Sequence, residues 1–235
     1  MSNIQALDNS AHAGLRVRLE HSAALGSATN QAPLVPAEFE EAQRHYPILF
    51  RKDEEGALHA MAILGFERDE NLFLNGEGWD GYLPAIVRRG PFFIGAGESE
   101  DPVILVDLVH QRVVENGTEG APLFLEHGGH APALEQALAA LQTIHLGERD
   151  MQSMRGLFTE LELTEEVKLN VRLSEEKTVN FEGLLAVTWE RIGALDAAAL
   201  DRLNQAGLLP PAIFAASSLN NMPRLAMRKR AKDGD

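Results

Sequence analysis

The chain of 235 residues contains no cysteine. That excludes disulfides, thiolate zinc sites, iron–sulfur clusters and cysteine nucleophiles together. It fits a reducing compartment. Positive charge is also scarce: 21 lysines and arginines stand against 35 acids, for a net charge of −14. Such a chain repels phosphate backbones, which argues against nucleic acid as a partner. Long apolar runs are missing as well. Leu203 to Pro223 is uncharged and long enough to cross a bilayer, but it holds Asn204, Gln205, Pro210, Pro211, Asn220 and Asn221. Those residues are costly in lipid, so the stretch reads as chain buried in the protein, with no transmembrane segment. Residues 1–32 lack the basic start and apolar run of a secretory signal, because Asp8, Asn9, Ser10 and His12 interrupt every run. The expected location is cytoplasmic, with surface association left open.

Several nucleotide and hydrolase signatures are absent. Gly95-Ala96-Gly97 follows a strand signal, but Glu100 stands where a dinucleotide fingerprint needs glycine. There is no phosphate-loop Gly-Lys-Ser/Thr and no Gly-x-Ser-x-Gly elbow. Ser217 and Ser218 have no local partner and read as capping or turn residues. His110 has no acid two positions on, so the His-x-Asp/Glu pattern of iron oxygenases is missing.

What is present is a 235-residue chain with 45% hydrophobic residues, enough for one large core or two small ones. Residues 1–32 read as a flexible N-terminal arm, in which only Leu15, Val17 and Leu19 alternate as a strand would. Pro33 to Arg44 reads as a short helix with Pro36 in its first turn. Strand signals follow at Tyr46–Arg51, His59–Phe66, Asn71–Leu74, Ala85–Ile94 and Val103–Leu108, and their spacing predicts an antiparallel meander.

Pro132 to Leu146 carries Leu134, Leu138, Leu141 and Ile144 near helical spacing, with Gly147 as its end; Met151, Met154, Leu157, Phe158 and Leu161 continue the period in the same helix or a second one. Val167, Leu169, Val171 and Leu173 then alternate with polar residues, and Val179 to Trp189 extends the pattern after a polar loop at Ser174–Lys177. This predicts a hairpin. Asp196 is a good N-cap, and Gly207 a good stop, for a last helix. The fold class expected is α+β: mainly antiparallel sheet, a helical middle segment, and a C-terminal hairpin plus helix. The domain would span 33–225, with 226–235 a basic, disordered tail.

Two groups of side chains invite a chemical reading. Glu126-His127-Gly128-Gly129-His130 offers three potential metal donors, but the two glycines loosen their geometry. No metal or other cofactor is expected; Glu126, His127 and His130 remain the fallback donor set of an enzymatic reading. The acids at Glu98–Asp101 and Glu160–Glu166 read as a solvated face.

The aromatics are more informative, since 9 of the 14 lie between Phe39 and Phe93. That window holds Trp79, Tyr82, Arg88 and Arg89, residue types enriched at binding hot spots. Arginine forks onto carboxylates and phosphates and stacks on aromatic faces. On a strand, Arg88 and Arg89 would point to opposite faces. Two readings stand: an aromatic core with ordinary salt-bridged arginines, or a surface for a peptide or an anionic ligand.

Tyr46-Pro47-Ile48-Leu49-Phe50-Arg51, Leu64-Gly65, Asn71-Leu72-Phe73, Trp79, Tyr82-Leu83-Pro84, Arg88-Arg89 and Pro91-Phe92 resemble the SapC family of bacterial proteins. The likeness resumes at Gly120–Phe124 and from Leu200 through Gly207-Leu208 to Ser218-Leu219. The family takes its name from a protein linked to a bacterial surface layer. Its relatives are found near genes for outer-membrane receptors, halogenase-like enzymes and cupin-like oxygenases. It brings no catalytic residues with it.

The resemblance implies an accessory or binding protein for a peptide or protein partner, with a neighbouring halogenase-like or cupin-like modifying enzyme as one such partner. The alternatives are a surface-layer-associated structural protein and an enzyme of unknown type. A homo-oligomer stays open.

Overall fold

The structure is a computed structural model that describes residues 3–76, 78–96, 102–115, 117–167, 169–172, 178–181 and 183–234, with side chains outside 168–182. The Glu98–Asp101 acids and the Ser174–Lys177 loop lie outside the described residues. From the N-terminus, β1 (Ile4–Ala6) and β2 (Arg16–Val17) precede β3 (Gln31–Leu34). A 3-10 turn at Pro36–Glu38 leads into α1 (Phe39–Ala42), so the expected helix is shorter and Pro33 belongs to β3. Next come β4 (Ile48–Lys52), β5 (Leu58–Ile63) and a small hairpin of β6 (Leu74–Asn75) with β7 (Gly78–Trp79). These are followed by α2 (Ala85–Arg88), β8 (Phe92–Ala96), β9 (Pro102–Asp107), β10 (Val113–Val114) and β11 (Ala121–Pro122).

The segment Ala85–Ile94 is therefore not one strand. Its apolar, β-branched start reads as extended, but Pro84 before it sets up a helical turn, and the amides of Arg88 and Arg89 donate to the carbonyls of Pro84 and Ala85 at 2.9 Å. Gly90, at φ +56°, then breaks the turn in a conformation that glycine adopts without strain.

The middle of the chain is one helix, α3 (Pro132–Glu160), of 29 residues. Gly147 does not end it. Val35 packs so closely there that a Cβ on Gly147 would lie 2.5 Å from the Val35 Cβ. After α3 come β12 (Thr164–Glu166), β13 (Leu169–Arg172), β14 (Thr178–Phe181) and β15 (Leu185–Val187). β13 and β14 form the expected hairpin, with Leu169 opposite Phe181 and Val171 opposite Val179. Helices α4 (Trp189–Gly193), α5 (Ala197–Gln205), α6 (Leu209–Ser218) and α7 (Met222–Asp233) close the chain. Asp196 caps α5 by accepting the Ala199 amide at 2.8 Å, and Gly207 follows at φ +70°.

The main sheet has five antiparallel strands in the order β12-β15-β4-β5-β3. It is not a sequential meander. Ile48, Leu49 and Phe50 in β4 are all fully buried, so both faces of that strand are covered. β15 supplies its second neighbour from far along the chain. Two three-stranded sheets, β1-β9-β8 and β10-β2-β11, complete the α+β fold.

Two hydrophobic cores result. The larger joins the main sheet to α1, the C-terminal half of α3 (Met151, Met154, Phe158) and α5 to α7. The smaller joins Leu15 and Val17, from the first 32 residues, to Phe92, Val106 and the N-terminal half of α3 (Ala133, Leu134, Ala137, Leu141). Ser218, fully buried, ties α6 to the sheet: its Oγ accepts the Ile48 amide at 2.8 Å and donates to the Ala215 carbonyl at 2.6 Å. Among the described residues, no helix is long and apolar enough to cross a membrane.

Candidate functional site

A buried carboxylate organises the region around the predicted aromatic and arginine residues. Glu38 sits in the 3-10 turn after β3 and is almost fully buried. Its Oε1 accepts the Tyr82 hydroxyl at 2.9 Å and the Ala85 amide at 2.6 Å. Its Oε2 accepts the Val35 amide at 3.1 Å. The Ala85 amide is one of the free donors at the start of α2, so Glu38 fixes where that helix begins.

Tyr46 lies beside it. Its hydroxyl donates to the Tyr82 carbonyl and accepts the Trp79 indole N–H at 2.8 Å. Burial pushes the Tyr46 phenol above its ordinary range. Tyr82 is raised as well, by burial and then by the Glu38 charge. Both phenols therefore remain donors.

Trp79 and Tyr82 thus turn their polar ends inward, and neither lines the cleft that holds the arginines. The arginines are disposed differently. Because they close α2 instead of lying on a strand, Arg88 and Arg89 line the same cleft. Arg89 Nη1 donates to the Phe92 carbonyl at 2.7 Å, and its guanidinium lies 4.1 Å from the Phe93 ring centre. Arg88 Nη2 reaches the Tyr82 hydroxyl at 3.4 Å. Its Nε is buried and has no hydrogen-bond partner among the described residues.

A third guanidinium joins them from the loop after β9. Arg112 is held by carbonyls: Nε donates to Arg18 at 2.7 Å and Nη1 to Val87 at 3.4 Å. Burial lowers both Arg89 and Arg112 from their ordinary values.

The cleft has a volume of about 440 Å³, within the usual range for a ligand site. Its polar lining residues are Arg88, Arg89, Arg112, His21 and Gln136; its apolar ones include Leu19, Leu83, Phe92, Ala133 and Ala137. It lies where the chain passes from the larger core to the smaller one. Arg89, Gly90 and Arg112 also border a second cleft of about 260 Å³, lined by Trp79 and the edge strand β3.

Among the described residues none of the three arginines makes an ion pair; their partners are carbonyls and the Tyr82 hydroxyl. Glu20 is the acid whose charge bears on Arg112. His21 is pushed down to about 4, first by burial and then by Arg112, against an opposing pull from Glu20. His110 is lowered too, by burial and then by Arg112. The local field is thus positive in a chain of net charge −14.

Arg112 and His21 were not legible as site residues, since each comes from a loop remote in sequence from α2. The other candidates lie elsewhere. Glu126, His127 and His130 are exposed around a tight turn, and the His130 ring packs beside Phe124 at 6.2 Å. Among the described residues, no group of three or more histidines and acids is placed to hold a metal ion. Of the acids near Glu162, Glu160 pairs with Arg202 at 2.6 Å and Glu165 with Arg191 at 3.0 Å.

Comparison with curated proteins returned no match, and neither did comparison with solved structures. The SapC family pattern, however, matches residues 7–225, nearly the whole chain and every element that builds the cleft from Val17 to Ala139, and on that match the chain belongs to the SapC family.

Proposed function

We propose that this chain is a non-catalytic binding protein that holds a peptide or protein partner at the cleft formed by Arg88, Arg89 and Arg112. The observation that carries the reading is the set of three arginines in one cleft without an acidic partner among the described residues. Carbonyl contacts position a guanidinium but leave its charge available, and arginine is the residue best suited to fork onto an anionic group. Trp79 and Tyr82 support the reading indirectly. Trp79 is held by Tyr46, and Tyr82, held by Glu38, accepts Arg88 Nη2 and gives that arginine a rigid base; a preorganised site spends less of its interaction energy on ordering. The polar side chains of the cleft are guanidinia, an imidazole and an amide, with no paired nucleophile and base.

The test is gentle purification of the full chain from its own host, followed by a native mass spectrum. A stoichiometric peptide or protein partner is expected. The double change Arg88→Ala/Arg89→Ala should lose it while the unfolding midpoint stays unchanged. A bare chain or a symmetric self-oligomer speaks for a structural role. A variant that keeps the partner, or fails to fold, makes these arginines structural.

A further inference from the structure

We infer that the group recognised in this cleft is a free carboxylate carried on an apolar stem. This rests on the binding-protein reading above and names the chemistry of the ligand. Three guanidinia border one space of about 440 Å³, and like charges so placed repel unless an anion joins them. The fold brings no carboxylate of its own within ion-pair distance of them among the described residues. The donors are also incomplete. Arg88 Nε is buried and unpaired, and a buried donor without a partner is rare enough to call for water or a ligand.

The walls decide between anions. A phosphate is heavily hydrated on three oxygens and needs donors all round. Here the charged donors are the three guanidinia alone, and Leu19, Leu83, Phe92, Ala133 and Ala137 make much of the remaining lining apolar. A carboxylate puts its charge on two coplanar oxygens, which the planar fork of arginine matches. Its carbon stem can lie against the apolar lining. Gln136 can meet an amide next to the carboxylate. Two sources present this group: the C-terminus of a peptide and a free carboxylic acid. The second cleft, which shares Arg89, Gly90 and Arg112 and runs beside Trp79, gives a longer occupant somewhere to extend.

The experiment is a titration of the full-length protein, followed by the NMR signals of the arginine Nε–H groups. Four probes are used: the tripeptide acetyl-Ala-Ala-Leu with a free C-terminus, the same peptide as its C-terminal amide, hexanoate, and inorganic phosphate. The acid peptide should shift the Arg88, Arg89 and Arg112 signals saturably and bind at least about tenfold more tightly than the amide. Added salt should weaken it, because the attraction is between charges.

Hexanoate binding as tightly as the peptide assigns the site to free acids; binding of the peptide alone assigns it to C-termini. Arg89→Gln and Arg112→Lys should each weaken the acid peptide. The lysine variant keeps a charge where Arg112→Ala risks the fold, since Arg112 bonds to the Arg18 and Val87 carbonyls. Equal binding of acid and amide, phosphate binding alone, or no shift at roughly 10 mM peptide overturns the inference. If the native partner is nonetheless lost from Arg88→Ala/Arg89→Ala, the binding-protein reading stands and only the carboxylate assignment falls.

Discussion

The Tyr46 hydroxyl accepts the Trp79 indole N–H at 2.8 Å, and Tyr46 itself is fully buried. The same hydroxyl donates to the Tyr82 carbonyl. One oxygen thus ties α1's exit to the β6–β7 hairpin and to the approach of α2. Tyr46→Phe removes it and leaves two polar groups without partners. The expected cost is about 1–3 kcal/mol, measured by urea unfolding. In a Trp189→Phe background, which removes the half-exposed second tryptophan, Trp79 emission should also change. An unaltered midpoint would show that water replaces the hydroxyl without loss.

Tyr46 and Tyr82 are the only two tyrosines, and both are raised above the ordinary 10.0 by burial. In the unfolded chain they ionise near that value. Between it and the higher folded values, the unfolded state therefore binds fewer protons, and stability falls as pH rises. Below it the contribution is fully present. The folded protein should show no tyrosinate absorbance near pH 10, and phenolate should appear together with alkaline unfolding. A normal titration of either tyrosine in the folded state would refute the buried network.

Gly147 should not tolerate alanine. Helix propensity alone favours Gly147→Ala by about 1 kcal/mol. The added Cβ, however, would stand 2.5 Å from the Val35 Cβ and 2.6 Å from its Cγ2. Val35 is β-branched and stiff at χ1, so it has little room to turn away. The net effect expected is a loss of about 1–3 kcal/mol, read from thermal or urea unfolding. A stabilised variant would mean that α3 and the turn before α1 separate easily.

Lys229 is buried, on α7. Its Nζ lies 2.8 Å from Glu70 and 3.1 Å from Asp233, and its side chain is 4% exposed. Burial alone would lower its pKa, but the hydrogen bonds it donates to Glu70, Asp233 and Glu67 outweigh that and raise it. Lys229→Ala should cost up to about 3–5 kcal/mol, because the buried Glu70 is then left with only the exposed Lys232, at 3.5 Å, as a counter-charge. Lys229→Met combined with Glu70→Gln should cost less than the sum of the single changes, in a double-mutant cycle followed by urea unfolding. Strict additivity would mean that the pair does not act as a unit.

Much of the local structure could be read from the sequence. The apolar run Ile48–Phe50, the alternation around Val171 and Val179, Pro132 at the start of α3 and the Asp196 cap each act within a few residues. Backbone dihedrals, caps and burial periodicity are local, so the α+β class was legible. The sequence misled where a local signal had a distant cause. Ala85–Val87 reads as a strand by β-branching, yet Glu38 accepts the Ala85 amide and holds it at a helix start. Gly147 reads as a stop, yet it is an opening for Val35.

The candidate site depended even more on tertiary structure. Trp79, Tyr82, Arg88 and Arg89 could be singled out by residue type, but nothing local pairs Arg112 or His21 with them. Those two arrive because β10 pairs with β2, so that the loop before β10 and the chain after β2 meet at the end of α2. Which cations find acids and which do not is decided the same way. Lys229 meets Glu70 only because α7 folds back on the turn after β5, whereas Arg89 and Arg112 end on carbonyls and Arg88 on the Tyr82 hydroxyl. Composition determined the excess of negative charge; only the packing of segments far apart in the chain left three guanidinia facing one cleft, because charge neighbours are set by distance in space.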